Sequence, residues 1–268
     1  MSVTCVKKGS LEYFRSSLLE GTAHCFSTRY GGVSEGYLAS LNLGVHGGDV
    51  PENVYRNYDI LGQAVGFDPA HTIFTKQIHS DIVERVGKAQ WGSGLCREVE
   101  EGCDGLVTNE PLTALTVFSA DCTPVLLYDP VQKAIGAVHA GWRSTAMKIA
   151  AKAVLKMTEE FGSKPEDIRA AIGPCIGQCC FETHNDVPDA MLASYGAVAQ
   201  RWIYPVGEKF RVDLKGLNAL SLREIGVTQI DIAEECTACE PQRFWSHRRV
   251  GGERGSLAAV IMLKEEGE

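Results

Sequence analysis

Two apolar runs, 112–118 (LTALTVF) and 125–128 (VLLY), suit one long buried strand, yet the six residues between them read SADCTP. A buried strand cannot hold an aspartate and a proline without desolvating a charge and losing ladder hydrogen bonds. The interruption therefore holds Asp121 and Cys122 at the ends of rigid strands, where loops carry function. The run 256–263 (SLAAVIML) is apolar throughout, as expected of a strand covered on both faces.

Around these runs, strand-like and helix-like segments alternate. Residues 24–29, 168–173 and 229–236 read as strands, and 71–86 as two short strands broken near Lys76 to Ser80. Residues 31–44 form a glycine-punctuated loop. The spacing predicts a helix over 50–66, with Pro51 suited to the first turn, and another over 213–226. The clearest helix is Ser144 to Phe161. Ala146, Ile149, Ala150, Ala153, Val154 and Met157 form its apolar stripe, and Gly162 supplies a stop. With no repeat and no linker, the expectation is an α/β fold: a single layered domain over 1–268, with a mixed β-sheet flanked by helices.

Charge and cysteine usage exclude some functions. A net charge of -8 argues against an extended nucleic-acid surface. No run of eighteen apolar residues appears, so no membrane partner is expected. The N-terminal stretch lacks the apolar core of a secretory signal, which predicts a cytoplasmic protein with reduced thiols. The ten cysteines are then buried small hydrophobes, metal ligands or nucleophiles.

Three polar interruptions are of metal-ligand type: His79 in KQIHSD, Cys122 in SADCTP and His139 in IGAVHAGWRS. Two imidazoles and a thiolate make a first shell for zinc with a fourth position left for water, the catalytic rather than the structural arrangement. Their separations, 43 and 17 residues, form no local motif. Position adds weight, because Val138-His139 ends an apolar strand before Ala140-Gly141 turns into a helix, and ligands of α/β folds gather at such edges. In the same turn Arg143 brings a fixed charge near a helix N-terminus; a solvated first-turn residue is the competing reading.

Arg29, between a strand and a Gly-Gly pair, suits anion capture, although no Walker-type lysine follows. Asp104 in GCDGLVTN is either a turn residue or a carboxylate facing a site. His247, Arg248, Arg249 and Arg254 crowd into one loop. Cys175, Cys179, Cys180, Cys236 and Cys239 offer either a structural zinc site or buried thiols in a tight turn.

The ordered motifs FSTRYGGVSEG, LNLG, KQIHS, CDGLVTN, SADCTPVLLYDP, AVHAGWRST and IGPCIGQCCFE resemble those of the laccase-domain family. That family spans purine nucleoside phosphorylases carrying a multicopper polyphenol oxidase label, and includes the bacterial peptidoglycan-editing factor. The resemblance runs from Phe26 to Leu263. It implies a single α/β domain whose His79, Cys122 and His139 hold zinc, with copper proposed at the same site. It also implies phosphorolysis of adenosine, inosine and methylthioadenosine, and deamination of adenosine. Arg29, Asp104, Arg143 and Glu182 lie in shared motifs. Ser246 to Arg249 departs from the family pattern, in which an aromatic residue precedes the arginines.

Four function classes can be weighed. In a phosphorylase, Arg29 or Arg143 would neutralise phosphate, and Asp104 or Glu182 would stabilise the cationic sugar. Glu182 would shuttle the proton in deamination. In a cysteine hydrolase acting on a muramyl-peptide precursor, Cys122 would attack with His139 as its base. A multicopper oxidase needs about ten histidines in His-x-His pairs. This chain has seven histidines and no such pair, which argues against it. A binding module without chemistry would not keep polar residues at buried strand ends at a cost to stability.

Overall fold

The computed structural model describes residues 3–99 and 101–265. The apolar runs assemble into two large sheets. The first has the order β1 (Val3–Lys8), β2 (Leu11–Ser16), β3 (Thr22–Ser27), β15 (Leu257–Leu263), β7 (Ala114–Ser119), β4 (Thr72–Phe74). The second has the order β14 (Gln229–Ile232), β10 (Arg169–Ile172), β8 (Thr123–Asp129), β9 (Ala134–Ala140), β6 (Gly105–Thr108), β5 (Val83–Arg85). Most neighbours are antiparallel, with parallel pairs at β4–β7, β10–β14 and β5–β6. A small third sheet orders β11 (Glu182–Thr183), β13 (Lys209–Val212) and β12 (Ile203–Val206).

Side chains alternate across each strand, so a strand covered on both faces must be apolar at every position. In β15, Leu257, Ala259, Ile261 and Leu263 pack between the two large sheets. Its other face, with Ala258, Val260 and Met262, packs toward Val54, Tyr58 and Leu61 of α1 (Pro51–Val65). In β8, Leu126 enters the inter-sheet layer, while Val125 and Leu127 meet α3 (Ile149–Phe161) and α5 (Leu214–Glu224). The result is four layers, helix, sheet, sheet, helix. The expected mixed α/β domain is present, but its strands divide into two stacked sheets. Periodicity cannot reveal which sheet a buried strand joins.

The helix expected from Ser144 to Phe161 is broken. α2 (Trp142–Ala146) ends at Met147, and Lys148 starts α3 in a left-handed conformation with φ 59°. The break lets two faces serve two partners. Trp142 and Ala146 pack with α4 (Asp186–Tyr195) and the small sheet, whereas Ile149, Ala150 and Val154 pack on the second large sheet. Among the described residues no helix is long and apolar enough to cross a membrane.

Candidate metal centre

Strand register explains how distant residues meet. In the β8–β9 ladder Thr123 pairs with Ala140 and Pro124 with His139, so one step further Cys122 faces Gly141. In β6–β9 Gly105 pairs with Val138, which sets Asp104 beside His139, and the His139 amide donates to the Asp104 carbonyl at 2.7 Å. The parallel β5–β6 pair brings in the preceding loop that carries His79. One donor atom each from His79, Cys122 and His139 then lies within 4.8 Å of the others. The two imidazole rings sit 4.9 Å apart and nearly perpendicular.

Asp104 is the hub of this arrangement. Its fully buried carboxylate accepts from the Ile78 amide (3.2 Å), the His79 amide (3.1 Å), the Ser80 amide (2.6 Å) and the Ser80 hydroxyl (2.8 Å). It also accepts from Nδ1 of His139 at 2.8 Å, which fixes the ring and leaves Nε2 for a metal. These donors hold the His79 backbone at φ 58°, a left-handed conformation that costs a histidine roughly 1–2 kcal/mol. The sequence left Asp104 either as a turn residue or as a carboxylate facing a site, where it or Glu182 would stabilise a cationic sugar. Here its contacts hold the His79 loop and the His139 ring. Ser80, which sequence reasoning passed over, completes the grip; its adjacency to His79 in KQIHS was the available signal.

Electrostatics follow from the same contacts. Burial opposes the Asp104 charge, but hydrogen bonds from His139 and Ser80 overcome it and hold its pKa at about 2. Burial also opposes the His139 cation, yet the Cys122 sulfur and Asp104 together push it up to about 9. Burial and the neighbouring His139 charge lower the His79 pKa. A sulfur and two imidazoles converging within one small volume offer the donor set of a cation site. Gly141 completes the fit. A Cβ there would press into the His79 ring, 2.8 Å from Cε1, and sit 3.4 Å from the Cys122 sulfur.

Asp121 has φ 97° and accepts from three outlying groups. They are Thr237 Oγ1 (2.6 Å), Ser246 Oγ (3.0 Å) and the Arg248 amide (2.6 Å). It thus fastens two C-terminal segments beside Cys122. Arg254 carries its charge close to Asp121 and Cys122, and its Nε is buried without a partner among the described residues. Arg254 also lines a cavity of about 900 Å³ with Phe74, Lys76, Gln77 and Phe118. Gln77 joins that cavity to the His79 loop, its amide bridging to both the N–H and the carbonyl of Phe118.

The remaining candidates separate clearly. Arg143 is exposed, stacks 4.2 Å over Trp142, pairs with no carboxylate among the described residues, and its charge reaches His79. Arg29 instead stacks 3.7 Å over Trp245 and donates from three nitrogens to the Ala39 and Pro241 carbonyls. Glu182 pairs its carboxylate with Lys209 at 2.8 Å. His247 is exposed at the start of α6 (His247–Val250). Cys175 is buried against Thr123, and only Cys179, Cys180, Cys236 and Cys239 of the five-cysteine group converge.

Comparison with known proteins matches this geometry to a family. A family model described as multi-copper polyphenol oxidoreductase laccase matches residues 23–264. Purine nucleoside phosphorylase YlmD of Bacillus subtilis is 36% identical over 245 residues, covering 90% of this chain and 88% of the relative. A purine nucleoside phosphorylase of Bacteroides thetaiotaomicron is 35% identical, covering 96% and 97%. Among solved structures, the hypothetical protein YfiH of Bacillus licheniformis superposes with a TM-score of 0.90 at 33% identity, over 96% of this chain and 98% of that one. YlmD from Geobacillus stearothermophilus gives 0.87 at 31% identity, over 97% and 99%. The chain belongs to the multi-copper polyphenol oxidoreductase laccase family, alongside relatives named as purine nucleoside phosphorylases.

Proposed function

We propose that this chain is a zinc-dependent purine nucleoside phosphorylase acting on adenosine, inosine and S-methyl-5′-thioadenosine, with adenosine deamination as a second activity. The observation that carries this reading is an open set of three donors, His79, Cys122 and His139, two of them held by one buried carboxylate, with the charge of Arg143 reaching His79. The relatives' names supply the substrate class. Zinc, when bound, supplies a Lewis acid and lowers the pKa of water toward 7. His79, Cys122 and His139 hold it. Asp104 fixes the tautomer and orientation of His139, and Gly141 leaves room for the His79 ring.

Arg143 is the residue suited to phosphate, since its guanidinium stacks on Trp142 and pairs with no carboxylate among the described residues, whereas Arg29 is committed to carbonyls. In phosphorolysis a phosphate oxygen bonds to C1′ as the C1′–N9 bond breaks. The electron pair goes to the base, and the hydrogen of hydrogenphosphate ends there. The cavity beside Arg254 and Gln77 is roomy enough for a nucleoside, within the usual range of about 300–1,000 Å³ for such sites. The oxidase name is poorly supported, because two histidines and one thiol do not make a multicopper cluster; a single copper ion would fit the same trio.

The test is release of hypoxanthine from inosine, matched one for one by ribose 1-phosphate and absent without phosphate. Release of free ribose regardless of phosphate would mean hydrolysis instead. A second reading rests on the Cys122–His139 contact, which suits a thiol nucleophile and its base acting on a muramyl-peptide precursor. That reading requires full activity in metal-free protein and its loss on alkylation with iodoacetamide.

A further inference from the structure

A second group of donors forms where the turn at 177–181 meets the one at 236–240. The sulfurs of Cys179, Cys180, Cys236 and Cys239 lie within 4.8 Å of one another. Cys239 is 3.5 Å from Cys179 and 3.4 Å from Cys180, sulfur to sulfur. Four sulfurs each about 2.3 Å from a tetrahedral zinc stand about 3.8 Å apart, which falls inside this range. The backbone is shaped to the sulfurs as well. The Gly177 amide donates to the Cys236 sulfur at 3.1 Å. A Cβ on Gly177 would lie 3.2 Å from the Cys179 sulfur and 3.4 Å from that of Cys236. Each thiol pair springs from a tight turn: the Cys180 and Phe181 amides converge on the Gly177 carbonyl, and those of Cys239 and Glu240 on the Cys236 carbonyl. Packing does not explain Cys179 and Cys239, since both are exposed, and thiols acting as small hydrophobes are buried.

We propose that Cys179, Cys180, Cys236 and Cys239 hold a structural zinc ion, separate from the His79, Cys122 and His139 centre. Four thiolates close the coordination sphere, so the ion takes no part in turnover. It binds as the thiols give up their protons to solvent. Its effect is mechanical. It staples the loop entering β11 to the segment that carries Thr237, Ser246 and Arg248, the groups that grip Asp121 beside Cys122. Arg248 reinforces the join by donating to the Cys180 and Glu182 carbonyls.

The test counts zinc in full-length protein purified under reducing conditions without metal-affinity resin. Wild type is expected to hold two equivalents, and His79→Ala/His139→Ala to keep one. Cobalt(II) loaded into that variant should give the intense sulfur-to-metal absorption of a tetrathiolate. Cys179→Ser/Cys239→Ser should also fall to one equivalent and unfold at lower temperature. If that variant does not fold, the cobalt spectrum of the histidine variant decides alone. A histidine variant that takes up neither zinc nor cobalt while its four thiols titrate freely overturns the proposal, and so does one whose mass is short by two hydrogens, the mark of a disulfide. Zinc stoichiometry is read without any activity assay, so failure of the phosphorylase reading would leave this result interpretable.

Discussion

The histidine-cysteine trio and the four-thiol cluster use similar donors, but the fold presents them differently. Cys122 and His139 sit at the ends of β8 and β9, strands with buried faces, His79 sits on the loop before β5, and one carboxylate positions the two histidines. The thiol cluster sits on two turns joining a small sheet to the C-terminal segment, and backbone amides do the positioning. Three donors on a rigid edge leave a place for substrate, whereas four donors on paired turns leave none. If both groups bind metal as proposed, coordination number and the stiffness of the support, more than ligand type, would separate chemistry from stapling.

The largest effect that would sharpen this contrast is loss of a trio ligand. His79→Ala or His139→Ala is expected to lower phosphorolysis roughly a thousand-fold with the fold intact by circular dichroism. The cysteine pair variant should lose stability and keep most of its turnover. Equal loss of turnover in both would erase the distinction. Gly141→Ala comes next, because its methyl group displaces the His79 ring while leaving every ligand present. Calorimetric titration should show zinc affinity at the trio falling about a hundred-fold. Asp104→Asn should weaken the same affinity about 10–100-fold, the usual cost of losing a partner that orients a ligating histidine. Unchanged affinity would remove Asp104 from its role as hub.

Smaller effects concern charge. Arg143→Ala should raise the KM for phosphate about ten-fold and leave that for inosine nearly unchanged, whereas Arg29→Ala should lower the melting temperature and spare both. Steady-state kinetics at varied phosphate separates the two arginines. The pH response has a definite sign. Without zinc, His139 has a folded pKa raised from 6.5 to about 9, so its protonation stabilises the fold fully below pH 6.5 and fades as pH rises through 9. Zinc must displace that proton, so trio affinity should climb across the same interval. A flat affinity between pH 6.5 and 9 would contradict the coupling.

Much of the trio was legible because β-structure converts sequence into position. Polar residues that interrupt apolar runs at 122 and 139 had to lie at strand ends, and an antiparallel hairpin then sets Cys122 opposite Gly141. The role of Asp104 was not legible. It depends on the β5–β6 pairing, which wraps the His79 loop around the carboxylate, and on three amides that carry no side-chain signal. Arg29 and Arg143 also read alike in sequence. Only folding shows that carbonyls some ten and some two hundred residues away occupy one of them. The helix break at Lys148 was hidden for a related reason, since its apolar stripe continues through the point where its packing partner changes.

The most direct measurement follows hypoxanthine and ribose 1-phosphate production from inosine while zinc is titrated into protein that holds one equivalent at its four clustered cysteines and none at the trio. Activity should rise in proportion to the second equivalent of zinc, vanish without phosphate, and stay absent in His79→Ala. Full activity before that equivalent is added would contradict the assignment of the chemistry to the trio's metal.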